Sequence, residues 1–71
     1  MGIKIVPSEF RIIVNKKNGQ SEGLVFKSIH NNAIGIMLAR FLDNIKLEDI
    51  IEIKIFKNNE KIDEITDFEV I

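Results

Sequence analysis

Apolar and polar positions along the chain form four short strand-like runs and one stretch of helical spacing. The first run is Phe10-Arg11-Ile12-Ile13-Val14-Asn15, apolar and β-branched; Lys16-Lys17-Asn18-Gly19-Gln20-Ser21 interrupts it, and Leu24-Val25-Phe26 follows. Asn-Gly between two such runs is the sequence signal of a hairpin whose two-residue type I′ turn needs positive φ at both central positions. That turn sets Lys17 opposite Gln20, Ile13 opposite Leu24 and Ile12 opposite Val25. Because cross-strand partners share a face, Phe10, Ile12, Val14 and Val25 are expected on one side, and Arg11, Ile13, Leu24 and Phe26 on the other. A loop one residue longer exchanges the faces of the returning strand.

The spacing then changes. From Ala33 to Ile45, the residues Ile34, Met37, Leu38, Phe41, Leu42 and Ile45 fall in one stripe of a helix, with Ile36, Arg40, Asp43 and Asn44 opposite. Ser28, Asn31 or Asn32 stands ready as the N-cap. Gly35 and Ala39 lie four apart at the edge of the stripe and permit a close backbone approach, although Gly35 lowers helix propensity. Such a stripe needs a sheet beneath it.

A second hairpin follows, with Ile51-Glu52-Ile53-Lys54-Ile55-Phe56 and Lys61-Ile62-Asp63-Glu64-Ile65 on either side of Asn58-Asn59. Placing the turn at the two asparagines pairs Lys57 with Glu60, Lys54 with Asp63 and Ile55 with Ile62. In that register Ile51, Ile53, Ile55 and Ile62 face the helix, and Phe56 and Ile65 lie outside. Ile3 to Val6 offers a short additional edge strand, set off by Pro7. The expectation is one α+β domain over residues 1–71, in the ββαββ order. Its layout resembles that of β-grasp domains, with a mixed sheet of about four strands and one helix on one face. Ubiquitin-like carriers of that layout need a terminal Gly-Gly, whereas this sequence closes on Glu69-Val70-Ile71, so carrier function is not expected.

Size sharpens the picture. A 71-residue chain buries only about 60% of the surface its unfolded form exposes, and small domains commonly add a disulfide, a metal or a partner. There is no cysteine and a single histidine, which leaves association. Isoleucine supplies 15 residues and lysine outnumbers arginine eight to two, usage expected of an AT-rich bacterial or bacteriophage genome. The first residues lack the apolar run of a signal peptide, Val6 stands where a myristoylation signal has Ser or Thr, and no run approaches the roughly 20 apolar residues of a membrane span. A cytoplasmic protein without membrane partners is expected.

Catalytic chemistry finds little to work with. His30 has no second histidine or cysteine to form a nucleophile–base pair, and the glycines at 2, 19, 23 and 35 match no phosphate-binding loop. Glu60, Asp63, Glu64, Asp67 and Glu69 read as a solvated strand face that would hold a divalent ion weakly at most. Neither enzymatic activity, nor a metal site, nor a cofactor is expected.

Charge, by contrast, is divided. Residues 1–46 carry seven Lys or Arg and three acids, a sum of +4, and residues 47–71 carry three against eight, a sum of −5. Pairing of the first and last strands would make much of this internal complementarity. The main functional expectation is a protein-binding surface on the outer sheet face. It comprises Ile13, Leu24, Phe26, Phe56 and Ile65, rimmed by Arg11, Lys54, Lys61 and Asp63, and serves self-association as a homodimer or binding of a larger protein. The alternative is a small nucleic-acid-binding domain using Arg11, Lys16, Lys17 and Lys27. It has the weaker case, because no Tyr or Trp is present to stack on bases. Lesser candidates are Ile36 on the polar side of the helix and Val70-Ile71 as a terminal docking motif.

Overall fold

The computed structural model describes residues 2–66. Strands β1 (Ser8–Lys16) and β2 (Ser21–Ser28) form the first hairpin, helix α1 (Ala33–Leu42) and a short 3₁₀ turn (Leu47–Asp49) connect it onward, and β3 (Ile50–Lys57) and β4 (Glu60–Ile65) form the second. The α+β class and the ββαββ order are as the sequence pattern predicts. The four strands make one sheet in the order β2-β1-β3-β4. Every neighbouring pair is antiparallel, where a mixed sheet was expected, because β1 pairs with β3 and β4 stays at the far edge. β2 and β3 therefore run the same way with β1 between them, and the connection through α1 passes across β1.

Turn chemistry decides the faces. At the first hairpin Asn15 pairs with Ser21, the Lys16 amide donates to the Gln20 carbonyl at 2.8 Å, and Lys17, Asn18 and Gly19 form the loop. Gly19 alone has positive φ, at 86°, which is the geometry of a type I turn closed by a glycine bulge. Asn18 fits the middle position because its side-chain carbonyl accepts from the Gln20 amide at 2.9 Å. The loop is one residue longer than the two-residue turn, so the returning strand is turned over. Leu24 pairs with Ile12 and Phe26 with Phe10 on the helix side, and Val25 goes outward beside Arg11.

The second hairpin turns as expected at Asn58 and Asn59, both at positive φ (50° and 68°), with Lys57 opposite Glu60. A bulge then shifts the register so that Phe56 pairs with Lys61 and Ile55 with Asp63. Ile62 is the extra residue and stands 47% exposed instead of facing the helix. Lys54 meets Glu64 rather than Asp63, and Ile53 meets Ile65, which brings Ile65 to the helix side. A similar irregularity between β1 and β3 pairs Asn15 with Glu52 but Lys16 with Ile50. Ile50 is thereby buried, while Ile51, expected inside, is half exposed.

Among the described residues the six buried apolar side chains come from the two central strands: Phe10, Ile12 and Val14 from β1, and Ile50, Ile53 and Ile55 from β3. The stripe predicted for the helix packs against this cluster as expected, through Ile34, Met37, Leu38, Phe41, Leu42 and Ile45, yet none of these is fully buried. No side chain caps α1; the His30 and Asn31 carbonyls accept from the amides of Ala33 and Ile34 in its place. Ser28, one of the expected caps, accepts from the His30 amide in the turn before the helix. Residues 2–7 form no strand and lie in solvent.

Candidate interaction surface

The face of the sheet turned away from α1 is built by the alternation of each strand. Across it run two rows set by the register: Val25, Arg11, Phe56 and Lys61, then Gly23, Ile13, Lys54 and Glu64. Of the five residues expected to line this surface, Ile13 and Phe56 are there, each half-buried. Leu24, Phe26 and Ile65 are on the opposite face for the turn and bulge reasons above. Phe26 stacks on Phe10 with ring centroids 5.3 Å apart, and Phe26 and Ile65 both pack against the core. Val25, assigned inward by the two-residue turn, takes their place outside at 55% exposure. The signal that could have found it is the Lys17-Asn18-Gly19 triplet, since a single glycine at the third loop position suits the bulged turn as well as Asn-Gly suits the shorter one.

A polar strip borders these apolar side chains. Ser21 Oγ donates to Asn15 Oδ1 at 2.6 Å, and Asn15 Nδ2 donates to Glu52 Oε1 at 2.7 Å. The amide of Asn15 is the main influence holding the Glu52 carboxyl below its ordinary value, with the Lys54 ammonium, 3.5 Å away, acting in the same direction against partial burial. Lys61 and Glu64 pair at 3.4 Å at the β4 edge. Cationic and apolar positions alternate along the first row, and in the second Lys54 stands between Ile13 and Glu64, so Arg11 and Lys54 interleave with Val25, Phe56 and Ile13 rather than surround them.

The four basic residues of the nucleic-acid alternative are not brought together. Lys16 pairs with Glu22 at 3.2 Å and is largely covered. Lys17 lies in the hairpin loop, and Lys27 sits opposite Glu9, seven residues or about 24 Å along β1 from Lys16. Arg11 lies between, on the outer face. The division of charge is also not neutralised across the sheet: among the described residues each ion pair joins partners within one half of the sequence, Lys16 to Glu22, Lys54 to Glu52 and Lys61 to Glu64. Ile36 is exposed on α1, and Val70-Ile71, Asp67 and Glu69 lie outside the described residues. His30 is exposed, and no group of three metal-ligating side chains converges among the described residues. Among the described residues no helix is long and apolar enough to cross a membrane.

Comparison with protein-family models, with curated proteins and with solved structures gave no match in any of the three.

Proposed function

We propose that this chain is a non-enzymatic, cytoplasmic protein-interaction module that associates with itself or binds and inhibits a larger host protein through the outer sheet face. One observation carries the reading. Val25 is more than half exposed beside half-buried Ile13 and Phe56, on a face that α1 leaves open. Apolar side chains grouped on one open face of a small domain are characteristic of interaction sites, and interleaved arginine adds to that character, since Arg is enriched at interfaces. The size of the core points the same way, because the six side chains buried among the described residues are few for a chain that has no cysteine to form a disulfide. An accessory protein of a bacteriophage or mobile element fits both the residue usage and the size.

Ile13→Glu tests the proposal. The new carboxylate would sit beside Lys54 in solvent, so the fold should persist while association, read by light scattering after size exclusion or by capture of a partner, is lost. Unchanged association in a folded Ile13→Glu protein would dismiss the outer face. Phe26→Glu is unsuitable as a probe, because Phe26 stacks within the core.

A further inference from the structure

We propose that residues 2–7 of one copy add as a fifth strand to the free edge of β2 in a second copy. This segment is the most exposed apolar stretch of the described chain: Ile3 is 89%, Ile5 64% and Val6 79% exposed, and only Lys4 interrupts them. Three large aliphatic side chains left in water forfeit the stabilisation that cover by a partner would return. The sheet offers two edges to such a segment, and they differ. β4 is six residues long, bulged at Ile62 and carries Glu60, Lys61, Asp63 and Glu64, the devices by which edge strands resist pairing. β2 is eight residues long, keeps one unbroken register with β1 and has no proline. Its outward backbone is the accessible template.

Both sides of that edge suit this segment. On the helix side an open cleft of about 310 Å³ lies between β2 and the end of α1, lined by Glu22, Gly23, Phe41, Asn44 and Ile45. The C-terminus of α1 carries the negative end of its dipole and Asp43 sits at that end, while the carboxylate of Glu22 is shared with Lys16 at 3.2 Å, so the helix end of the cleft favours a further cation. Lys4 supplies it, with Val6 on the same face against Phe41 and Ile45. Strand alternation then places Ile3 and Ile5 on the outer face beside Val25 and over Gly23, which has no side chain to obstruct them.

A second copy is the occupant because the segment cannot serve its own β2. It enters β1 where Ser8 pairs with Ser28, so from its own edge it would have to cross the end of β2, two strand spacings or about 10 Å, which takes about three residues and leaves only half of the segment to pair. Reciprocal exchange between two copies closes into a two-fold dimer. The outer-face reading shares Val25 with this one but turns on Ile13 and Phe56, which the added strand does not reach, so Ile13→Glu tests that reading and the substitutions below test the added strand.

The test uses full chains. The wild-type chain should show a concentration-dependent dimer by light scattering that Ile3→Asp/Ile5→Asp abolishes and Lys4→Glu weakens several-fold. A labelled peptide of residues 2–7 added to the Ile3→Asp/Ile5→Asp chain should shift the amide resonances of β2, Phe41 and Ile45. Three results overturn the proposal: a wild-type monomer throughout, a dimer that survives Ile3→Asp/Ile5→Asp, or peptide shifts confined to β4.

Discussion

The central strands and the helix have similar apolar content but very different security. β1 and β3 each have a hydrogen-bonded strand on both sides and α1 above, and they hold every fully buried apolar residue of the described chain. Helix α1 presents an equally aliphatic stripe, yet all of it remains half open, because the helix covers the sheet from one side and none of the described residues covers its flanks. Its local signals are also weak. It has ten residues, Gly35 inside its first turn, no side-chain cap, no acid near its start, and Asp43 at its negative end. A helix of that length is marginal in water on its own, so its order depends on the sheet. Position in the fold, more than the hydrophobicity of the residue, sets how much each side chain contributes.

The sharpest way to break this contrast is to truncate one residue from each region. Ile53→Ala, at a position 1% exposed, should cost about 2–5 kcal/mol, against a total stability of about 4–11 kcal/mol for 71 residues. Leu38→Ala in the half-open stripe should cost about half as much. Urea denaturation monitored by circular dichroism measures both, and equal losses would mean that α1 is as tightly held as the strands. Improving the helix should sharpen the contrast from the other side. Gly35→Ala meets nothing within 4 Å, and it should stabilise the protein by about 0.5–1 kcal/mol, raising Tm by a few degrees. A fall in Tm would show that the glycine makes room for something the helix needs.

The smallest expected effect belongs to the outer face. Because Asn15 and Lys54 hold the Glu52 carboxyl below its ordinary value in the folded state, its contribution is fully present above the unfolded pKa and is lost as pH falls through the lowered folded value. Glu52→Gln should therefore lose this small contribution at neutral pH, leave unfolding at low pH unchanged, and so flatten the acid side of the stability profile. An identical acid limb in the variant would remove Glu52 from the account. The group is solvent-accessible, so the change is a modest one in the shape of the curve.

Much of this architecture was legible in the chain. Period-two runs gave the four strands, and the spacing of Ile34, Met37, Leu38, Phe41, Leu42 and Ile45 gave the helix and the face it buries, because those patterns follow from backbone geometry within a few residues. The Asn58-Asn59 turn was equally readable, since asparagine tolerates positive φ. The composition of the outer face was less accessible. Leu24, Phe26 and Ile65 were expected there and Val25 was not, and all four assignments turned on one-residue differences: a three-residue loop at Lys17-Asn18-Gly19 and a bulge at Ile62.

By itself, then, the sequence determined which segments become strands, which becomes the helix, and that the charge divides between two halves. Tertiary structure decided which strands are neighbours, and with that whether the basic and acidic halves pair. It also decided which residues each bulge displaces. The Lys17 amide bonds to the Asp49 carbonyl at 2.8 Å, a contact between residues 32 positions apart that accompanies the slip burying Ile50 and exposing Ile51. Local propensity scarcely distinguishes two adjacent isoleucines. Only the hydrogen bonds and packing of the assembled sheet do, because a shift of one residue reverses every side chain that follows.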